Sequence, residues 1–263
     1  MKLMVAANWK MFKKLDEAAL YAKELAKLAK NLPPDREVAL FAPFTALRVC
    51  FENLDASVSL GGQNCYPAAQ GAFTGEISPD MLLDCGCSHV LAGHSERRSI
   101  LGEDDAFIGK KCAFSLSSGL KVLLCIGERL EERDKGLLRT VLERQLSEDL
   151  AAVPETVSDG DLAVAYEPIW AIGTGRVAKA ADILEAHALI RAFLERRFPA
   201  QGKKMRILYG GSVKPENAAE IIALDNVNGV LVGGASLQIG DFSRIVLAGR
   251  AQPGGETPSA RGR

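Results

Sequence analysis

The chain has 263 residues, 48% hydrophobic and 25% charged, with 32 Lys and Arg against 33 Asp and Glu for a formal net charge of −1. A chain of this length buries roughly three-quarters of its unfolded surface, enough for one large core, and the composition excludes a disordered, collagen-like or disulfide-scaffold protein. The near-neutral balance argues against nucleic acid or a membrane surface as partner, since either calls for a basic face, but it leaves room for a local cationic pocket.

The first apolar run, 3–9, is too short for a signal sequence, and no stretch reaches transmembrane length. Further runs lie at 38–43, 58–64, 89–94, 121–127, 162–168, 206–211 and 229–234. They are continuously hydrophobic rather than alternating, as strands covered on both faces are. Between them, 16–31, 104–118, 137–152 and 180–198 carry apolar residues three and four apart with charges opposite, the pattern of amphipathic helices. Eight strand–helix units fit either a closed (β/α)8 barrel or an open doubly wound sheet. No short edge strand is evident and no GxGxxG follows the first run, which favours the barrel. The expectation is an α/β protein with a single (β/α)8 barrel domain over 1–250 and a flexible tail over 251–263. The six cysteines, Cys50, Cys65, Cys85, Cys87, Cys112 and Cys125, form no CxxC pair and lie among apolar residues. They read as free buried thiols of a cytoplasmic protein.

In a barrel of this kind the chemistry belongs at the C-terminal ends of the strands. Those positions hold Asn8 and Lys10, Gln63 and Asn64, His94-Ser95-Glu96, Glu167-Pro168, Gly210-Gly211-Ser212 and Gly233-Gly234. One imidazole, one lysine and one carboxylate suit proton transfer. HxH, HExxH and clustered acids are missing, so no metal is expected. The glycines either shape tight turns or let the N–H groups of Ser212, Gly233 and Gly234 converge on an anion; their place after strands seven and eight favours phosphate. Glu167, between Tyr166 and Pro168, should be desolvated with its pKa raised. His94 precedes what reads as a helix start, which should keep its ring neutral. Lys10 is either a surface lysine with a buried stem or a cation balancing anionic substrate, with Glu96 as its partner and Asn8 placing it. The segment Pro168, Ile169, Trp170, Ala171, Ile172, Gly173, Thr174, Gly175 and Arg176 reads as a lid whose closure expels water and brings the Gly173 N–H to the phosphate.

Several long motifs then coincide: Asn8-Trp9-Lys10, Ala92-Gly93-His94-Ser95-Glu96-Arg97-Arg98, Ala165-Tyr166-Glu167-Pro168-Ile169-Trp170, Tyr209-Gly210-Gly211-Ser212-Val213 and Leu231-Val232-Gly233-Gly234-Ala235. In order and spacing the chain resembles the triosephosphate isomerase family over 1–250. The departures are Lys13, where a smaller residue is expected, and the tail. The resemblance implies a cofactor-free TIM barrel that interconverts dihydroxyacetone phosphate and D-glyceraldehyde 3-phosphate through an enediol(ate), in glycolysis and gluconeogenesis. It implies Glu167 as the base, His94 as a neutral electrophile of the kind known in that family, and Lys10 and Asn8 at the substrate. Ser95 and Glu96 would support them. It further implies a homodimer whose loop 70–76, with Phe73, Thr74 and Gly75, enters the partner beside Asn8 and Lys10, since that loop's own subunit offers no evident support for them; an exposed Phe73 suits such a contact. The competing readings are a Schiff-base aldolase using Lys10 and a phosphate-binding barrel without chemistry. The second leaves the glutamate, histidine and lysine unexplained, because binding alone needs no base.

Overall fold

The computed structural model describes residues 1–172 and 177–249. The tail and lid residues Gly173, Thr174, Gly175 and Arg176 therefore lie outside the described residues.

Eight parallel strands close on themselves: β1 (Leu3–Asn8), β2 (Arg36–Ala42), β3 (Val58–Gly62), β4 (His89–Ala92), β5 (Lys121–Ile126), β6 (Leu162–Tyr166), β7 (Arg206–Tyr209) and β8 (Gly229–Val232). Each pairs with the next, and β8 returns to β1 with Met4 opposite Gly229 and Ala7 opposite Val232. Closure leaves no edge strand, so the doubly wound alternative is excluded. Most of the apolar runs overshoot the strands at their C-terminal ends. Trp9, His94 and Gly127 fall just beyond the sheet, where the chain turns into the loops that build the site.

Side chains alternate along each strand, and both sides are buried. Met4, Ala6, Ala39, Phe41, Leu91, Leu123, Ala165, Leu208 and Leu231 fill the barrel. Val5, Ala7, Val38, Leu40, Val90, Val122, Val164, Ile207 and Val230 point outward into the layer beneath the helices. Two buried faces make the runs continuous in hydrophobicity.

The helices are α1 (Leu15–Ala29), α2 (Leu47–Asn53), α3 (Pro79–Asp84), α4 (Ser95–Ser99), α5 (Asp105–Ser117), α6 (Leu130–Asp134), α7 (Leu138–Asp149), α8 (Ala180–Arg197), α9 (Ala218–Ile222) and α10 (Ile239–Val246). Helix α1 buries Ala18, Tyr21, Ala22, Leu25 and Ala29, one face at helical spacing. Helix α5 starts where Asp104 accepts the Phe107 N–H at 2.7 Å, and α3 where Ser78 caps the Met81 N–H ahead of Pro79. None of the helices among the described residues is long and apolar enough to cross a membrane.

Two histidines serve packing. His89 enters β4 at its N-terminal end beside Ser88 Oγ at 2.8 Å, and His187 on α8 faces the Asn226 carbonyl at 3.0 Å. Burial pushes both pKa values down to about 4. All six cysteines are free thiols; Cys85 is half-buried and the others are buried.

Candidate active site

At the end of β1 the chain turns sharply. Lys10 takes a left-handed conformation, φ 54°, which costs a residue with a side chain on the order of 1–3 kcal/mol. Three contacts hold it. Asn8 Oδ1 accepts the Lys10 N–H at 2.9 Å, and the Gln63 amide donates to Asn8 Oδ1 at 3.2 Å and to the Lys10 carbonyl at 2.9 Å. The expectation that this turn lacks support from its own subunit is corrected: Gln63, at the end of β3, supplies it. Turned this way, Lys10 Nζ donates to Glu96 Oε1 at 2.6 Å. Lys13 is also left-handed, φ 78°, and its Nζ donates to the Leu237 carbonyl at 2.8 Å, a use that a smaller residue could not fill.

His94 caps α4. Its Nδ1 accepts the Glu96 N–H at 3.3 Å, which assigns the ring proton of the neutral form to Nε2. That nitrogen lies 3.1 Å from Glu167 Oε1, and Glu167 Oε2 accepts the Ser95 N–H at 2.9 Å. Both side chains are almost wholly buried. Glu167 sits just past β6, where two glycines make room for it. A Cβ on Gly127 would stand 1.8 Å from the Glu167 carbonyl oxygen, and one on Gly210 would stand 2.9 Å from Glu167 Cγ.

The charges of this pair depart from expectation. Burial raises the Glu167 pKa, but His94, the Ser95 N–H and Lys10 outweigh it and hold the carboxyl below its usual range. Burial likewise disfavours the His94 cation, yet the Glu167 carboxylate, its hydrogen bond and Glu96 outweigh that and raise the ring's pKa. With Glu167 docked on His94, both shifts therefore run opposite to the directions expected from burial and the helix start. Each group alters the other because they touch in a nearly dry site.

Glu167, His94, Lys10 and Asn8 meet on one cavity of about 730 Å³. Gly210, Gly211, Ser212, Gly233 and Gly234 line the same cavity. Ser236 Oγ donates to the Gly233 carbonyl at 2.7 Å and pins that turn at the head of a 3-10 helix, Gly234–Leu237. Unpaired N–H groups at such a head favour an anion. Among the described residues no three His, Cys, Asp or Glu side chains gather as a metal ion would require.

Of the segment that the sequence reads as a lid, residues 168–172 are described, and Ile172 lines the cavity. Its first turn is anchored on Glu128, a residue the sequence reading missed. The Glu128 carbonyl accepts the Ile169 N–H at 3.1 Å, while Oε1 accepts from Trp170 Nε1 at 2.7 Å and Tyr166 OH at 3.0 Å. Glu128 is fully buried, and burial raises its pKa. Its place just past β5, at the same barrel face as the other polar residues, was the available signal. Phe73, Thr74 and Gly75 lie elsewhere: exposed, outside the cavity, with Phe73 stacked on Tyr66 at 4.1 Å. Cys125 sits within the barrel core, where burial pushes its thiol pKa well up.

A model of the family described as triosephosphate isomerase matches residues 3–249. The chain belongs to the triosephosphate isomerase family. It is 60% identical over 251 residues to the triosephosphate isomerase of Nitratidesulfovibrio vulgaris (strain Miyazaki F), covering 94% of this chain and 100% of that protein. Similar coverage holds at 57% identity for the protein of that name from Oleidesulfovibrio alaskensis, and at 44% for that from Aquifex aeolicus. The family match thus spans every strand and every residue of the cavity described above.

Proposed function

We propose that this chain interconverts dihydroxyacetone phosphate and D-glyceraldehyde 3-phosphate through an enediol(ate), as a step of glycolysis and gluconeogenesis. One observation carries the reading: a carboxylate and an imidazole 3.1 Å apart share a cavity with two glycine turns suited to phosphate. The phosphate is held by the N–H groups of Ser212, Gly233 and Gly234, joined by Gly173 when the lid closes. Lys10, kept in place by Asn8, balances the charge that develops on the substrate oxygens. Glu167 takes a proton from one carbon and returns it to the next, while His94 Nε2–H donates to the carbonyl oxygen.

To act, Glu167 must leave the Ser95 N–H and His94 Nε2. That departure removes His94 and the Ser95 N–H, which do most to lower its pKa, so its basicity rises as it reaches the substrate. It also removes the carboxylate that does most to raise the ring's pKa, which favours His94 as a neutral donor. Ser95 and Glu96 act through these two residues and through Lys10.

The same reading takes 1–250 as the catalytic domain, 251–263 as a flexible tail, and the protein as a cytoplasmic homodimer. Exposed Met11, Phe12, Phe73, Ile100 and Leu101 all follow β1, β3 or β4 at the site end of the barrel, and they support a partner there. A coupled assay that follows glyceraldehyde 3-phosphate to dihydroxyacetone phosphate tests the activity. In Glu167→Gln, kcat should fall by about 10²–10⁴-fold; a variant that keeps a tenth or more of the parent rate rules Glu167 out as the base.

A further inference from the structure

The charges around the cavity are a poor match for a dianionic substrate. Among the described residues, two lysines line it, Lys10 and Lys214, against four carboxylates, Glu96, Glu167, Glu216 and Asp241. A phosphate dianion that enters meets a wall with a formal excess of negative charge, unless the carboxylates are masked. Most of them are. Glu96 is taken by Lys10 at 2.6 Å, and Glu167 is docked on His94. Arg244 of α10 lies 3.1 Å from Glu216 and 3.7 Å from Asp241, so one guanidinium faces both carboxylates. Lys214 is the lining cation left over: it is exposed and has no ion pair among the described residues.

Its place is fixed by the loop rather than by a partner. The Lys214 N–H donates to Asn217 Oδ1 at 2.8 Å, while Asn217 Nδ2 donates to the Ser212 carbonyl at 3.1 Å. The Asn217 amide thus clamps both ends of 212–217, and Pro215 restricts the backbone between them. The clamp fixes the Lys214 backbone two residues from Ser212, and both residues line the same cavity. An unpaired cation on a rigid mount at the entrance of a pocket raises the local concentration of an approaching anion.

We propose that Lys214 is the capture residue of this site, drawing the phosphate dianion of the substrate into the cavity, with Arg244 masking the carboxylates that would repel it. The assignment rests on the phosphorylated-triose reading above. Lys214 acts before the chemistry and takes no part in proton transfer, so it should govern kcat/KM and leave kcat alone. Its field reaches about 30 Å at 0.01 M salt but roughly 8 Å at 0.15 M, so its contribution should fade as salt rises.

The test is steady-state kinetics of the full chain across ionic strength. At about 10 mM salt, Lys214→Gln should lower kcat/KM about five-fold with kcat within about two-fold, and at about 300 mM the deficit should shrink below two-fold. Lys214→Arg should restore the parent value. Arg244→Gln should also lower kcat/KM at low salt, because it uncovers Glu216 and Asp241. With glyceraldehyde, which carries no phosphate, Lys214→Gln and the parent should match. Equal kcat/KM at low salt overturns the proposal, as does a deficit that persists at high salt, which marks a direct contact. An equal loss with glyceraldehyde also overturns it, since that marks a structural effect. A parent protein that does not isomerise the triose phosphate defeats the functional reading instead, which keeps the two failures apart.

Discussion

His94 and Glu167 each carry a pKa set largely by the other, so changing one should be visible in the titration of the second. Glu167→Gln removes the carboxylate that does most to raise the His94 pKa and leaves Glu96 alone against burial and Lys10, which lower it. The His94 pKa should therefore fall in the variant, and the ring should stay neutral to lower pH than in the parent. Imidazole NMR signals followed between pH 4 and 9 measure this directly. An unchanged titration would mean that the pair is not docked in solution as it is here. The residue types of this site were legible because they stand at strand ends in a barrel, where side chains point to the same mouth. Their charge states were not. A sequence shows that Glu167 follows an apolar strand and so suggests desolvation, but the compensating Ser95 N–H and His94 Nε2 come from 72 or more residues away in the chain, from the end of β4 across β5. Gln63 escaped as a support for the same reason: its amide reaches from the end of β3 past β2 to Asn8 and Lys10.

At the scale of elements, each strand end feeds a loop, and the loops press on one another. Gly127, just past β5, lies so close to the Glu167 carbonyl that no side chain fits between them. The clash is with backbone, which cannot rotate aside. Gly127→Ala should therefore destabilise the fold by at least about 2 kcal/mol, read as a lower urea midpoint with an unchanged slope, and should cost kcat in whatever protein remains folded, because Glu167 is displaced. A variant with the parent midpoint and rate would show that the two loops are not in contact. The eight strands were legible because both of their faces are buried, which leaves continuous apolar runs. Long helices such as α1 and α8 were legible by their periodicity. Short ones such as α2, α3 and α9 have five to seven residues, less than two full turns, and no period of 3.6 can be read from them. Glu128 was lost in a similar way: a charged residue after a strand looks like a loop residue until Tyr166 and Trp170 are seen to donate to it.

At the scale of the molecule, the question is whether one barrel makes a complete site. Gln63 anchors the Lys10 turn from within the chain, so a lone subunit should keep that turn's backbone. What it leaves uncovered is apolar: Met11 is 93% exposed and Phe12 56%, immediately after Lys10, whose Nζ, in the role proposed for it, must stay within about an ångström of its place for electrostatic stabilisation to act. Loop 70–76 is held from its own side by Phe73 on Tyr66 and presents Thr74 outward, the arrangement of a preformed insert rather than of a loose connection. If a partner's loop covers Met11 and Phe12, placing Arg at Thr74 should give a monomer in native mass spectrometry with the helix content of the parent by circular dichroism. Its kcat should be about 10²-fold lower, the cost of a misplacement on the ångström scale, while phosphate still binds at the glycine turns. A monomer at nanomolar concentration with the full rate would show that Gln63 and Asn8 alone hold Lys10 well enough, and that the exposed Met11 and Phe12 serve assembly without serving the chemistry.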